Sequence, residues 1–445
     1  MQAQASLVAS EQPADLLDEA RILNKVSWRI VPLILACFVV AYLDRVNVSF
    51  AKLQMQSDIG LSDAAYGLGA SAFFIGYLLF EIPSNAILVK VGPRLWIARI
   101  MITWGLVSAG MMFVRSENMF YFLRFLLGVL EAGFVPGVLY YFTRWFPAER
   151  RGRINNLFFG SIALCGIIAG PVSGGILKFF DGAHGLPGWQ WLFLLEGVPS
   201  ILLGVVVLLV LDDHVKDAKW LTQDEKRRLS EILARDSQVG NTHSFAAALK
   251  LPITYLFSLI YFGLCMGIYG FLFWMPQLIK TAGTTDPFMI GLLTSLPYIV
   301  ALIGTILLGR TSDRTGERRW HLTGCALAAA IGYVLSAAYG NNTVILVIGM
   351  MIAATGVIAS FGIFWIFPAR VLTGAAAAAG VALINSIGQI GGLIAPYMVG
   401  KVKEVTGSAS MGLYTIALTC AVTALLIAYA IPRNIRFRDV GAQRR

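Results

Sequence analysis

The sequence predicts an all-α membrane protein with twelve transmembrane helices in two six-helix halves, and three observations lead to this prediction. The first is composition, because 57% of the 445 residues are hydrophobic and only 13% are charged, unlike a soluble domain. The second is the recurrence of apolar runs of about 20 residues, each long enough to cross ~30 Å of hydrocarbon. The third is an internal repeat that relates the two halves of the chain.

The apolar runs give twelve predicted spans. They are continuous rather than alternating, which is typical of transmembrane helices and not of barrel strands. The spans lie near residues 28–50, 66–89, 96–114, 119–142, 154–178, 189–211, 253–279, 288–309, 321–339, 343–367, 378–400 and 411–431.

The distribution of positive charge predicts the orientation. With the N-terminus inside, the inner segments hold 27 of the 35 Lys and Arg residues. The outer loops hold six: Lys52, Arg115, Lys178, Lys280, Lys401 and Lys403. This asymmetry follows the positive-inside rule and predicts a multi-pass protein of the inner (cytoplasmic) membrane with both termini cytoplasmic. The formal charge of +10 is therefore a sign of topology and not of a nucleic-acid partner.

The predicted organisation has five parts. A cytoplasmic tail (1–27) lacks the short apolar core of a signal peptide, and a basic cytoplasmic tail (433–445) ends the chain. Two six-helix halves (28–211 and 251–432) flank a polar cytoplasmic linker (212–250). The linker segment "LTQDEKRRLSEIL" predicts an amphipathic helix capped by Thr222, which we interpret as a solvated surface helix.

Landmarks in the two halves recur at a nearly constant offset. Gly92 and Gly316 end similar loops 224 residues apart, and "FPA" occurs at 146–148 and again at 367–369. A duplicated six-span unit is typical of secondary transporters, whose site lies between the halves near the membrane midplane.

Several motifs resemble those of the major facilitator superfamily. "GRTSDRTGERR" (309–319) matches the loop signature G-x-x-x-D-R-x-G-x-R-R, whereas the first-half copy has Asn85 for the Gly and Val89 for the Asp. "GIIAGPVSGG" (166–175) resembles the fifth-span glycine motif, and it predicts close helix packing. "YLDRVNVSFA", "GYLLFEIPSN", "RFLLGVLEAGFVPG" and "WLFLLEG" resemble the anion:cation symporter branch. The resemblance implies a central cavity between the halves and carboxylate transport.

Charged residues inside the predicted spans are functional candidates, because each costs at least ~2.5–3.5 kcal/mol near the bilayer centre. All of those that we identify lie in the first half: Asp44, Arg45, Glu81, Arg124, Glu131 and Glu196. The second half offers amide and aromatic side chains instead. This asymmetry leads to the hypothesis that one half handles protons and the other contacts the substrate.

Helix geometry relates three of these charges. Adjacent residues such as Asp44 and Arg45 point about 100° apart, so they cannot face the same partner. Asp44 and Arg124 are expected at a similar depth in the outer part of the membrane, where one of the two neighbours can meet Arg124 and the other can face the cavity. A guanidinium there suits a substrate carboxylate, and burial favours the protonated form of a carboxyl group.

The family resemblance carries roles onto these positions. It implies that Arg45 anchors the substrate, that Asp44 and Glu131 accept protons, and that Arg124 is their partner. We predict further substrate contacts from side chains on both sides of the cavity: Tyr77, Tyr269, Asn385 and Gln389. A state-dependent latch at the helix ends is predicted for Asp313, Arg314 and Arg318.

Structural explanations remain open for each charged candidate. Asp44 and Arg124 can be a static pair, Glu131 can hold helices together, and Arg45 can extend towards the outer interface. Glu81 and Glu196 are more typical of structural ties between helices.

The predicted function is import of an organic carboxylate, either a hydroxy or sugar acid or an aromatic carboxylate, by proton symport with alternating access. An anion exchanger, a uniporter or a transporter-like carboxylate sensor are the alternatives. The five cysteines lie singly in predicted spans, and no catalytic, metal-binding or phosphate-binding pattern is apparent. We therefore expect no enzyme activity, no cofactor and no metal. The expected partners are protons, the carboxylate and the lipid bilayer, with the monomer as the functional unit.

Overall fold

The structure, a computed structural model, describes residues 13–237, 251–372 and 375–431. The predictions for the basic C-terminal tail, for the second part of the linker and for the first twelve residues lie outside the described residues.

Helices make up nearly all of the described chain. The first half contains α1 (Pro13–Asp58), α2 (Asp63–Val91), α3 (Pro93–Gly110), α4 (Glu117–Glu131), α5 (Phe134–Trp145), α6 (Ala148–Phe179) and α7 (Gly188–Val210). The linker contains α8 (Gln223–Ser237). The second half contains α9 (Pro252–Thr281), α10 (Pro287–Thr315), α11 (Arg319–Ala338), α12 (Thr343–Phe364), α13 (Ile366–Val371), α14 (Ala375–Thr406) and α15 (Ala409–Ala430).

The described chain contains twelve segments that are long and apolar enough to cross a membrane, which confirms the predicted all-α fold. The helices α4 and α5 form one span, interrupted where Gly133 adopts a left-handed conformation (φ 94°). The helices α12 and α13 form another. The first span is longer at both ends than the predicted 28–50, because α1 continues without a break from Pro13 to Asp58.

Three helix pairs join the two halves: α1 with α9, α2 with α14, and α6 with α10. We refer to the membrane face that carries α8 as the inner face, following the predicted orientation. Polar contacts between the halves include a buried hydrogen bond between the Tyr42 and Tyr298 hydroxyls at 3.1 Å, and others lie at the outer ends. Tyr66 donates to the Phe273 carbonyl oxygen at 3.0 Å, and Lys178 Nζ lies 2.5 Å from Asp286 Oδ2. The structure is therefore closed on its outer face.

The α6–α10 contact depends on two glycines that face each other. A Cβ atom on Gly170 would lie 2.2 Å from the carbonyl oxygen of Gly291, and a Cβ atom on Gly291 would lie 2.2 Å from that of Gly170. Real Cβ atoms do not approach backbone oxygens this closely, so only glycine allows the two helices to meet here. The close packing predicted for the 166–175 glycine motif is confirmed.

The linker helix α8 begins with the predicted cap. Thr222 Oγ1 accepts a hydrogen bond from the Glu225 amide at 3.2 Å, and Glu225 Oε2 accepts one from the Thr222 amide at 2.8 Å. The predicted amphipathic surface helix is confirmed, because most of its polar side chains are exposed while Leu229 is fully buried. It also contacts α1, where Lys25 forms an ion pair with Glu225 at 2.8 Å. The hydrogen bond from Lys25 lowers the pKa of Glu225. The linker is thus docked against the N-terminal part of α1.

We predict that Gly170→Leu destabilises the protein by about 1–3 kcal/mol or more, because the side chain has no space against the Gly291 backbone. Thermal unfolding of the purified protein in detergent measures the effect. Gly160→Leu is the matched control on the same helix, because a Cβ atom on Gly160 meets no atom within 4 Å. Equal melting temperatures for the two variants would contradict the packing role of Gly170.

Candidate functional site

The adjacent charges Asp44 and Arg45 have separate surroundings. Asp44 is 3% exposed, and its carboxylate accepts hydrogen bonds from Ser108 of α3 at 2.7 Å and from Ser200 of α7 at 2.5 Å. Arg45 points towards α2 and α4, where it forms an ion pair with Glu131. The angle of about 100° between neighbouring residues of a helix thus directs Asp44 towards α3 and α7, and Arg45 towards the interface between the halves.

Arg124 does not meet Asp44, which differs from the depth-based expectation. Its side chain is 1% exposed, and its guanidinium carbon lies 5.1 Å from the centre of the Phe73 ring. Its Nε and Nη2 atoms have no hydrogen-bond partner among the described residues. The expected contact fails because Asp44 faces the serines of α3 and α7, whereas Arg124 is on α4.

Aromatic rings enclose the Arg45 guanidinium from the first half. Its carbon lies 5.6 Å from the Phe73 ring centre and 5.9 Å from that of Tyr77, and both residues are on α2. Cation–π contacts of this kind stabilise a guanidinium with little access to water. Phe73 contacts both Arg45 and Arg124, and it was not among the residues selected from the sequence. The sequence feature that could have identified Phe73 is its spacing on α2, one helical turn from Tyr77 and two turns from Glu81.

The second half presents neutral groups to the same region. Tyr269 of α9 donates a hydrogen bond to Gln389 Oε1 of α14 at 2.8 Å, and its ring packs against Phe74 of α2 at 4.6 Å. Tyr269 is also close enough to Arg45 to interact with it electrostatically. Asn385 is one turn before Gln389 and partly exposed. The structure therefore brings Tyr77, Tyr269 and Arg45 together across the interface.

A basic residue that sequence analysis placed in an outer loop is instead part of the interface. Lys52 is 1% exposed within α1, and its Nζ atom lies 2.7 Å from Asp63 Oδ1 and 3.6 Å from the Trp274 ring centre. Lys403 of α14 lies 2.9 Å from Asp63 Oδ2. We call Lys52, Asp63, Trp274 and Lys403 the outer cluster. One carboxylate shared by cations from both halves holds the outer ends together.

The signal for Lys52 was present but weak. Val48 and Met55 are buried with Lys52 at helical spacing, so the buried stripe of α1 continues past the predicted end of the span.

The three predicted gating residues lie at the inner turn between α10 and α11. Asp313 and Arg318 form an ion pair at 2.5 Å, and Gly316 ends α10 with a left-handed conformation (φ 67°). Arg314 is exposed. The ion pair therefore spans the turn itself rather than joining the two halves.

The degenerate first-half loop has a different polar anchor. The Arg94 amide donates to Asp213 Oδ1 at 2.9 Å, and Arg94 Nε donates to the Leu208 carbonyl oxygen at 2.9 Å. Asp213 comes from the chain that follows α7, whereas the second-half ion pair uses Asp313 of its own loop. The carboxylate missing at Val89 is thus supplied from elsewhere in the sequence.

The two remaining membrane carboxyl groups differ in burial. Glu81 is partly exposed near the inner end of α2, whereas Glu196 of α7 is 2% exposed. Glu196 Oε1 accepts a hydrogen bond from Ser173 of α6 at 2.7 Å. This contact agrees with a tie between α6 and α7. Among the described residues, Glu196 forms no ion pair.

A family model described as Major Facilitator Superfamily matches residues 34–396. The chain belongs to this superfamily. It is 46% identical over 414 residues to "Putative metabolite transport protein NicT" of Pseudomonas putida, covering 93% of this chain and 94% of that protein. It is 45% identical over 429 residues to a "Putative tartrate transporter" of Agrobacterium vitis, covering 95% of each.

Solved structures support the same fold. The chain aligns with a D-xylose-proton symporter with a TM-score of 0.71 at 16% identity, covering 91% of this chain and 98% of that structure. The family and the fold are those of multi-pass membrane transporters rather than enzymes. The predicted resemblance to the major facilitator superfamily is confirmed.

We predict that Asp63→Asn loosens the outer closure, because Lys52 and Lys403 then repel each other without a shared carboxylate. Removal of one partner from a buried ion pair is strongly unfavourable. The readout is alkylation of Ala70→Cys, which is one turn below Tyr66 on α2 and fully buried. We expect labelling to accelerate about fivefold or more, since even ~1 kcal/mol changes a population by that factor.

The native cysteines give little background, because all five are buried. Asp58→Asn is the control, since Asp58 accepts a hydrogen bond from Trp189 within the first half at 2.7 Å. If Asp63→Asn and Asp58→Asn label at the same rate, the outer cluster does not hold the halves together.

Proposed function

We propose that this major facilitator protein imports an organic carboxylate together with protons by alternating access. The observation that carries the proposal is the Arg45–Glu131 ion pair, which lies among aromatic rings at the interface between the halves. A guanidinium held there by a protein carboxylate is preorganised to bind the carboxylate of a substrate.

The ion pair supports coupling by exchange of partners. While Glu131 is ionised it occupies Arg45, and a substrate carboxylate has to compete with it. Protonation of Glu131 removes the competing charge and leaves the Arg45 fork for the substrate. Substrate binding and proton binding then favour each other, as symport requires.

Asp44, which faces α3 and α7, and Arg124, which is on α4, each have a proposed part in this cycle. Asp44 receives hydrogen bonds from two serines and has no ion pair among the described residues, so no cation balances its charge when it is ionised. Arg124 is a buried cation beside Phe73 with donors left over. We propose that Asp44 is the second proton acceptor and that Arg124 responds electrostatically when protons leave.

The substrate class follows from the chemistry of the second half and from the relatives. The Tyr269 hydroxyl, the Gln389 amide and Asn385 suit hydroxyl groups, and the relative named as a tartrate transporter carries a hydroxy acid in its name. We propose a small hydroxy or sugar acid in preference to an aromatic carboxylate, with Tyr77 packing against its carbon skeleton.

The remaining predictions complete the proposal. The charge asymmetry supports cytoplasmic termini in the inner membrane, and the Asp313–Arg318 pair supports a latch that rearranges when the inner ends meet. The monomer contains both halves and is proposed as the functional unit.

An anion exchanger is the second candidate, favoured by the two serine hydroxyls that satisfy Asp44. If those hydrogen bonds keep Asp44 ionised throughout the cycle, and Glu131 also keeps its charge, transport proceeds without protons. Accumulation in proteoliposomes with and without an inward proton gradient separates the two mechanisms, because an exchanger does not respond to the gradient.

We predict that Glu131→Gln abolishes gradient-driven accumulation of a labelled hydroxy acid while it retains counterflow. The amide cannot release a proton, so Arg45 stays available for the anion but the coupling step is lost. Arg45→Ala is expected to lower both activities at least 100-fold, since the anion loses its charge-assisted bonds, worth ~3 kcal/mol.

Arg45→Lys is the matched control, because it keeps the charge and removes the fork geometry, so partial counterflow is expected. Gradient-driven accumulation by Glu131→Gln at the wild-type level would contradict the role of Glu131.

We predict that Tyr269→Phe and Gln389→Ala change substrate affinity without changing proton coupling. Tyr269→Phe removes a single hydroxyl and leaves Gln389 Oε1 without its donor, which is expected to raise KM about 5–10-fold at a cost of ~1 kcal/mol. The ratio of protons to substrate, measured from reversal potentials in proteoliposomes, is expected to stay at the wild-type value. A changed ratio would contradict this prediction and would indicate that Tyr269 takes part in proton coupling.

A further inference from the structure

A second buried carboxyl group lies close to Asp44, on the α3–α7 side of α1. Glu196 of α7 accepts a hydrogen bond from Ser173, and Asn47 of α1 lies against it. Asn47 is also one turn after Asp44, and its amide donates to Asp44 Oδ1 at 3.4 Å. Asp44, Asn47 and Glu196 therefore form one polar cluster, which we call the rear cluster.

No cation lies in the rear cluster among the described residues. Its carboxyl groups face Ser108, Ser173, Ser200, Trp104 and Asn47, together with the negative charge of Glu131. The basic residues of α1 nearest in sequence already have carboxylate partners, since Arg45 pairs with Glu131 and Lys52 with Asp63. The basic residues of α3 and α6 lie near the ends of those helices: Arg94, Arg99, Arg150, Arg151, Arg153 and Lys178.

Two acceptor atoms in the rear cluster lack a donor. Within the part of the chain that the structure describes, Glu196 Oε2 and Asn47 Oδ1 are buried without a hydrogen-bond partner, and they belong to neighbouring side chains. A proton on Glu196 Oε2 turns that oxygen into a donor beside the unpartnered Asn47 Oδ1, and it also removes a buried charge. Two ionised carboxylates without a cation are costly at this depth. The geometry therefore requires a proton on at least one of them.

We propose that Glu196 is a further proton-binding residue, in addition to Glu131 and Asp44, and that it acts together with Asp44. This inference rests on the proposed proton symport. Glu196 is about 12 Å from the outer end of α7, and Asp44 is about 21 Å from the outer end of α1 at 1.5 Å per residue. Glu196 therefore lies on the outer side of Asp44. Each proton that arrives from the outer aqueous phase neutralises one carboxylate, and charge on one carboxylate strengthens proton binding by the other.

The first test is an infrared pH titration of purified protein without substrate, which does not depend on transport. Wild type is expected to show carbonyl bands of protonated buried carboxyl groups that disappear as the pH rises. Glu196→Gln is expected to remove one band and to shift the remaining Asp44 titration by about one pH unit to lower pH, as coupled groups do. Asp44→Asn identifies the Asp44 band.

An unchanged spectrum in Glu196→Gln overturns the proposal, and so does an unchanged Asp44 titration. Replacement of sodium by choline tests the alternative ligand, because a sodium-dependent band shift would assign the rear cluster to a metal cation. Glu196→Asp keeps the carboxyl group, so it is expected to retain a second titrating band. It supplies the comparison if Glu196→Gln does not fold.

The second test is the proton-to-substrate ratio in proteoliposomes. Glu196→Gln is expected to lower the ratio, whereas Ser173→Ala keeps the carboxyl group and is expected to keep the ratio. If wild type transports without protons but the infrared bands behave as expected, the symport proposal fails and the proton site stands. If wild type couples to protons and Glu196→Gln has the wild-type ratio, Glu196 is only a tie between helices.

Discussion

The arrangement of this transporter depends on the angle between two adjacent residues of one helix. Asp44 and Arg45 point about 100° apart on α1, so one helix supplies a carboxylate to α3 and α7 and a guanidinium to α2 and α4. A salt bridge between the neighbours themselves would neutralise both charges. Their separation leaves Arg45 with Glu131 as a partner that the substrate replaces in the proposed cycle. It also leaves Asp44 without an ion pair among the described residues.

The same helix also organises the outer closure. Lys52 is about two turns above Asp44, where it shares Asp63 with Lys403 of the second half. The indole of Trp274 lies over the ammonium group and donates to the Pro396 carbonyl oxygen at 3.2 Å. In the proposed alternating-access cycle, movement of α1 would therefore change the outer cluster and the surroundings of Arg45 at the same time, so that one helix would link outer closure to substrate binding.

The fold was predictable because the membrane imposes a strong local signal. Every span has to satisfy its backbone within one helix, so length and hydropathy identify it without knowledge of its neighbours. Helix partners carry no such signal. The sequence placed Asp44 and Arg124 at one depth, but only the packing shows that Asp44 faces Ser108 and Ser200. Lys52 was missed for the same reason, since its charge is compatible with the membrane only through Asp63, which is eleven residues away.

The unequal distribution of charge between the halves has a mechanistic consequence for the proposed cycle. Asp44, Glu131 and the groups around them belong to the first half, so their distances to one another change little if the halves move as rigid bodies. The neutral Tyr269–Gln389 pair moves relative to them. Proton affinity is then governed by water access and by occupancy of Arg45, while recognition of the substrate changes with the angle between the halves. Arg45 takes part in both proton binding and substrate recognition, because it forms an ion pair with Glu131 and interacts electrostatically with Tyr269 of the second half.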